Sequence, residues 1–414
     1  MGCTCAHATQ ATTPVEPALR ADGAKTAPPH ETVEVVETGE DVDEPPHTMQ
    51  PKTLRKWSMS SLDSASSMLS LARVAAGHGG TSILKYVDKN ASEVPETTPY
   101  VMKVWDEIEA QAYQDLGAAG GRLLPFIPGF HGEVDKDDLD PELQDRYMRL
   151  SNVLHKFSEN PNVMDCKIGI RSFSTEEVNK KKLREDLYKK LVALDPSLPT
   201  EKEREAKACT KFRWMSCNDA RTTLKSLGFR IDGIENSDGK TSKDELRDIT
   251  SLSDAADKII SEFLPKPEDG ELSNSDAGEG LEDASTADRS NAEAKPVYLP
   301  ALAAAEQVLK SLYDLREAMM DSDFVRTHAF VGCSLLFVTD AHGPAAGVYL
   351  IDFAHTTPLP EGVQIDHRSP WKEGSYEDGL LLGVDNIITC WERVVARLNT
   401  AKQEEKRVSS MSSL

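Results

Sequence analysis

Two β-rich runs, AFVGCSLLFVTD at 329–340 and GVYLIDFA at 347–354, flank the turn signal His342-Gly343-Pro344 and read as a hairpin ending at the carboxylate of Asp352. A long helical pattern, from about Leu299 to Met320, runs directly into that hairpin, so the chain has to combine sheet and helix. The same mixture recurs upstream. SILKYV near 82–87 and PYVMKVW near 99–104 are β-branched and aromatic strand patterns, and a helical pattern follows from Asp106 to Leu116. Residues 162–173 give a strand-pair signal. A charged helix is expected over 174–194, EEVNKKKLREDLYKKLVAL, stopped by Asp195-Pro196. The expected fold class is α+β.

Two stretches lie outside these patterns. Residues 1–50 are rich in Pro, Thr, Ala and Glu without hydrophobic period, and residues 265–296 carry nine acidic against three basic side chains and almost no apolar ones. Neither buries enough apolar surface to offset chain entropy, so a disordered tail and a disordered acidic insert are expected. The 414 residues, 39% hydrophobic, then describe one globular region with tails rather than two or three domains. Its limits are read as 75–400, with a C-terminal tail at 401–414 and a helical segment at 174–225.

A net charge of -22 argues against nucleic acid as the main partner, because such a protein carries a basic footprint. A few lysines and arginines focused in one cleft are still enough for a polyphosphate ligand. Seven cysteines with no legible secretory signal imply no disulfide framework and a reducing, cytoplasmic setting. No run approaches the ~18 consecutive apolar residues of a membrane span. In the opening MGCTC, Gly2 with Cys3 and Cys5 would supply the two lipid signals that stable peripheral membrane anchoring needs, although position 6 is Ala; the alternative is an unmodified tail with two exposed thiols. Residues 51–74 turn basic, with Lys52, Arg55, Lys56 and Arg73 around Trp57, Met59, Leu62, Met68, Leu69 and Leu71. That stretch reads either as an amphipathic calmodulin or acidic-membrane ligand or as a helix packed on its own domain.

Phosphoryl transfer needs a lysine on the ATP phosphates, a carboxylate for Mg2+ near a strand end, and cations for the acceptor's phosphates. The sequence offers all three without a Walker P-loop or a protein-kinase HRD loop, so another kinase architecture is required. In PNVMDCKIG, at 161–169, Asp165 and Lys167 alternate so that both project from one face of an extended segment.

That run matches PxxxDxKxG, a signature of inositol polyphosphate kinases. LGFRIDG at 227–233, CSLLF at 333–337, LIDFAHTTPLP at 350–360 and HRSPWKEGSYEDGLLLG at 367–383 follow it in the family's order. Over 75–265 and 297–396 the chain resembles this family. LREDLYKKLVALDPSLPTEKE from 183 and the last two blocks are most similar to the inositol 1,4,5-trisphosphate 3-kinase branch. The resemblance implies a two-lobed fold with antiparallel sheets, an ATP cleft between the lobes and a helical substrate-binding insert. It also implies transfer of phosphate from ATP to the 3-hydroxyl of inositol 1,4,5-trisphosphate, and control by Ca2+ through calmodulin, with 52–73 and Leu183–Leu194 as candidate sites.

Carried over by position, Lys103 resembles the ATP-phosphate lysine, with Lys85 as the alternative, and Thr81 and Ser82 of AGHGGTS fall in the loop over the nucleotide. Leu150, Ser151 and Asn152 occupy the adenine connector, where relatives are often acidic. Asp165 is implied to contact the nucleotide, Lys167 a substrate phosphate, and Asp352 the Mg2+ ion. Arg184, Lys211, Trp214, Asn218 and His355 are implied to line the acceptor side. Asn218 and Glu235 stand where the 3-kinases tend to carry Arg and Lys, and His355 gives IDFAHT, a form found in the multikinase and hexakisphosphate kinase branches. Two rival readings follow: a broader inositol polyphosphate kinase, and a catalytically weak scaffold that binds calmodulin or inositol phosphates.

Overall fold

The computed structural model describes residues 83–85, 98–138, 145–158, 160–266 and 299–412. The readings placed on Gly2, Cys3, Cys5, Thr81 and Ser82, on the basic stretch 51–74 and on nearly all of the acidic insert lie outside the described residues.

The described chain opens with β1 (Ile83–Lys85), β2 (Tyr100–Val104), helix α1 (Glu107–Ala119), β3 (Phe130–Glu133) and β4 (Tyr147–Ser151). The four strands form an antiparallel sheet in the order β1-β2-β4-β3. Asp106 starts α1 by accepting the Glu109 backbone N–H at 2.9 Å, the usual work of an N-cap carboxylate.

Next come β5 (Asn162–Ile168), α2 (Thr175–Asn179), β6 (Leu183–Arg184), α3 (Glu185–Leu194), α4 (Glu201–Ala206), β7 (Cys209–Thr210), α5 (Lys211–Ala220), α6 (Thr223–Leu227), β8 (Phe229–Asn236) and β9 (Gly239–Lys240). Helices α7 (Lys243–Arg247) and α8 (Leu252–Lys258) lead through a π turn to Lys266. The remainder is α9 (Leu299–Asp321), α10 (Asp323–Thr327), β10 (His328–Ala329), β11 (Ser334–Thr339), β12 (Ala346–Ile351), β13 (Thr357–Pro358) and α11 (Leu380–Ser412).

A second antiparallel sheet runs β12-β11-β5-β8-β9, with β5 central and all seven of its residues buried. The expected hairpin is β11 and β12, which pair from Ser334↔Ile351 to Thr339↔Ala346. Helices α9 and α11 supply the apolar layer of this lobe, where Trp391 stacks on Phe337 at 5.6 Å and meets Phe263 edge-on at 6.1 Å. One continuous apolar cluster joins Val101, Met148 and Leu150 of the first sheet to Met164 and Phe337 of the second and to Val308 and Val394 of the long helices. The two sheets are thereby fixed against a shared core. The fold is α+β, as the mixed periodicities imply. No helix among the described residues is long and apolar enough to cross a membrane.

Three local expectations are corrected. Residues 162–173 form one strand, not two, because the chain turns at Gly169, whose φ is 108° and where a Cβ would stand 2.8 Å from the Asp378 carbonyl oxygen. The helix read over 174–194 is broken. A capping box of Ser174 and Glu177 starts α2, which ends before the like-charged run Lys180–Lys182; Leu183 and Arg184 then pair with Thr210 and Cys209 before α3 begins. Strand pairing from a distant segment overrides local helix propensity there. At the other end, α11 continues as helix through Ser412, across most of the residues read as a tail.

Candidate active site

Lys103 points from β2 toward the second sheet, and its ammonium is 2.8 Å from Glu109 Oε1 of α1 and 2.8 Å from Asp352 Oδ1 just past β12. Of the two lysines weighed for the ATP phosphates, Lys103 is the one whose ammonium meets Asp352, while Lys85 lies on β1 opposite Val101. All three members of the cluster are buried. Burial alone would lower the Lys103 ammonium, but Asp352 and then Glu109 outweigh it and hold it well above the usual range. A lysine shared by a helix carboxylate of one lobe and a strand-end carboxylate of the other is the arrangement phosphoryl transfer uses to fix a phosphate-binding cation beside a metal-binding acid.

Glu109 escaped the sequence reading. It lies four residues before Tyr113 and seven before Leu116, on the stripe that α1 buries, and an acid on an apolar stripe is the signal that finds it. Tyr113 clamps that face. It stacks on Phe130 at 5.9 Å and meets Phe353, the neighbour of Asp352, edge-on at 5.1 Å.

Asp165 and Lys167 follow one another on the same face of β5, 0% and 4% exposed. Lys167 donates to the Gly332 carbonyl at 2.7 Å. Both Asp165 oxygens and Asp352 Oδ2 are buried without a hydrogen-bond donor. Burial, and then Asp232 and Asp352, push the Asp165 carboxyl well above the usual range against the pull of Lys167. Asp352 is driven the other way. Burial pushes it up, yet Lys103 and Lys167 prevail and hold it below the ordinary carboxylate value. Two neighbouring acids forced in opposite directions divide the work: one stays ionised for a cation, the other is able to hold a proton.

The unpartnered oxygens test whether a divalent cation fits. Among the described residues no three His, Cys, Asp or Glu side chains gather as a ligand set. Mg2+, however, needs only one or two carboxylates when phosphate oxygens and water complete its octahedron. Asp352 Oδ2 is the free acceptor for such an ion. The residues present fit.

Asp352 has φ 66°, a left-handed conformation that turns the chain abruptly off β12. The turn brings His355 over Gly332: a Cβ on Gly332 would lie 3.6 Å from the His355 ring. His355 interacts electrostatically with Asp352 on one side and with Glu177 of α2 on the other. Glu177 in turn is ion-paired with Lys211, the first residue of α5. The helical segment is thus tied to the Asp352 corner through Lys211, Glu177 and His355. Glu177 also went unread, although Ser174-Thr175-Glu176-Glu177 spells a capping box.

The other residues assigned to the acceptor side are placed differently. Arg184 is on β6 beside Cys209 and turns its guanidinium to Asp186 at 2.7 and 2.6 Å on the surface. Trp214 is half-buried and packs against the small core of the helical segment, formed by Leu187, Leu191, Cys209 and Cys217. Asn218 is one turn further along α5. Glu235 ion-pairs with Lys240 across the β8–β9 turn at 3.4 Å, so the structure gives it a hairpin role at the sheet edge. The Leu183–Leu194 stretch, a candidate calmodulin site, buries Leu187 and Leu191 against that same small core.

In the connector, Leu150 is a core residue, Ser151 contacts His131 Nε2 through its hydroxyl at 2.9 Å, and Asn152 uses both ends of its amide on backbone groups. It donates to Thr98 O at 2.7 Å and accepts from Leu154 N at 3.1 Å. Asn152 therefore fixes the path of the connector by its own side chain.

Comparison with known proteins shows the family. The inositol polyphosphate kinase family profile matches residues 147–392. Inositol-trisphosphate 3-kinase A of Rattus norvegicus is 38% identical over 270 residues, 64% of this chain and 49% of its own. Inositol-trisphosphate 3-kinase B of Homo sapiens is 31% identical over 320 residues, 70% of this chain and 29% of its own. A solved inositol phosphate multikinase from S. cerevisiae, in complex with ADP and Mn2+, aligns over 72% of this chain and 99% of its own at TM-score 0.43 and 17% identity. The chain belongs to the inositol polyphosphate kinase family, and it spans about half the length of the 3-kinase A relative it matches.

Proposed function

We propose that the chain is a kinase that transfers the γ-phosphate of ATP, with Mg2+, to the 3-hydroxyl of inositol 1,4,5-trisphosphate, forming inositol 1,3,4,5-tetrakisphosphate and so adjusting inositol phosphate and calcium signalling. The observation that carries this reading is the buried Lys103–Asp352 pair with donor-free Asp352 and Asp165 oxygens beside Lys167. Lys103, oriented by Glu109, holds the phosphates of the nucleotide. Asp352, kept ionised, would hold the Mg2+ ion, which when bound would supply charge neutralisation to the transferred phosphoryl group. Lys167 and Lys211 hold acceptor phosphates, and His355, between Asp352 and Glu177, orients the attacking hydroxyl. Asp165, whose surroundings raise its affinity for a proton, takes the hydroxyl proton in its ionised form as the bond to phosphorus forms and the bond to the β-phosphate oxygen breaks. Positioning and electrostatics do the rest.

The test is transfer of labelled phosphate from Mg-ATP to inositol 1,4,5-trisphosphate, with the product isomer identified and Asp352→Asn as control. Tetrakisphosphate formed by the natural protein and not by the variant supports the reading; no product from any inositol phosphate refutes it. His355, Asn218 and Glu235 favour a second reading, a multikinase-like breadth of acceptors, which a panel of positional isomers separates from the first. We further assign the protein to the cytoplasm, with peripheral membrane attachment through acylated Gly2, Cys3 and Cys5, and calmodulin control through the basic stretch 52–73.

A further inference from the structure

The two cations that the helical segment offers to an acceptor are both already matched by carboxylates, and the two matches differ. Arg184 pairs with Asp186 at the surface, where solvent screens the pair and a phosphate displaces it with little loss. Lys211 pairs with Glu177, whose side chain is 6% exposed and cannot swing away. One Glu177 oxygen accepts from the Ser174 backbone N–H at 3.2 Å to close the capping box, and the other takes the Lys211 ammonium. Burial pushes the Glu177 carboxyl up, but Lys211, Ser174 and His355 together hold it below the usual range, so a fixed negative charge stands at the corner where acceptor phosphates meet the protein. On α5 the uncharged Asn218 follows Lys211 two turns on.

We propose that Glu177 is a specificity-determining residue that limits how much negative charge the acceptor can bring: it weakens the attraction of Lys211 for phosphate, so the site takes an inositol ring with three phosphates and rejects more highly phosphorylated rings. This rests on the kinase reading above and on Lys211 and His355 facing the acceptor. Like charges brought together in a cleft are disfavoured far more than in water, and the disfavour grows with each phosphate added to the ring. A lysine without the carboxylate behind it would attract every acceptor, the most charged ones most.

Glu177→Gln tests this, because glutamine also closes a capping box and so preserves the start of α2. The measurement is kcat/KM for inositol 1,4,5-trisphosphate and for an inositol tetrakisphosphate bearing a free hydroxyl, with KM for Mg-ATP as internal control. The expected result is a rise of about tenfold in the tetrakisphosphate-to-trisphosphate ratio, diminishing at high salt, with the ATP KM unmoved. A second pair of variants, Lys211→Met and the double Glu177→Gln/Lys211→Met, isolates the charge effect: without Lys211, removing the Glu177 charge should move the ratio much less. An unchanged or lower ratio in Glu177→Gln, or the same rise with Lys211 absent, overturns the inference. A natural protein inactive on every inositol phosphate overturns instead the kinase reading beneath it, so the two failures are told apart.

Discussion

Asp165→Asn should make the protein more stable while removing its activity. Around Asp165, five carboxylates, Glu109, Asp165, Asp219, Asp232 and Asp352, face three cations, Lys103, Lys167 and Arg230. Neither Asp165 oxygen has a hydrogen-bond partner, so burial favours the protonated carboxyl over an ion with no direct donor. Asparagine has the same shape, relieves that excess of acids and removes the cost of holding a carboxyl protonated, about 2 kcal/mol of destabilisation, roughly 4–8 °C in Tm for a unit of this size. The sign with pH follows from the upward shift. As pH rises above the unfolded carboxyl's value of about 4, the unfolded chain ionises while the folded one keeps its proton, so the natural protein loses stability until the raised folded value is passed. The variant lacks that slope. Thermal melts of both proteins from pH 4 to 8 should coincide at the acid end and diverge upward, with Asp165→Asn the more stable, and phosphate transfer should fall at least about a hundredfold. A variant less stable than the natural protein at pH 8 would show that the carboxylate has a stabilising partner, with the neighbouring Ser334 hydroxyl the first to examine, and the reasoning would fail.

Asp352→Asn should abolish transfer and weaken Mn2+ binding measured by calorimetry, while Glu109 still holds Lys103; retained metal affinity would remove Asp352 from the cation site. Glu109→Gln should raise the Mg-ATP KM about tenfold and leave the acceptor KM within twofold, because only the nucleotide lysine loses an anchor; equal effects on both substrates would contradict that division. Gly383→Ala places a Cβ 2.0 Å from the Gly228 carbonyl oxygen, where backbone meets backbone, and should cost about 3 kcal/mol, seen as a Tm drop of roughly 6–12 °C.

What the sequence revealed was whatever a short window determines. The β11–β12 hairpin, the helix that follows Asp106 and the Asp165/Lys167 alternation depend on neighbours a few residues away. The break after Asn179 does not. It arises because Leu183 and Arg184 find Thr210 and Cys209, partners that a helical pattern contains no hint of. Lys103 was legible through resemblance, but its pairing with both Glu109 and Asp352 joins positions 249 residues apart in the second case and emerges only when the lobes are assembled. Trp214, assigned to the acceptor side, rests one face on the helical segment's own core and is half-buried, a contact with Leu187 and Leu191 that no short window predicts.

The left-handed backbone at Asp352 also bears on how the site should be dissected. Aspartate, asparagine and glycine tolerate φ near 66°, whereas alanine there is strained by its Cβ. The customary alanine scan would therefore report two losses as one at this position: the missing carboxylate, and a hairpin exit that no longer holds its course toward His355. Asparagine isolates the charge and glycine isolates the side chain, so a comparison of those two, with alanine left out, is what assigns the chemistry to the carboxylate itself.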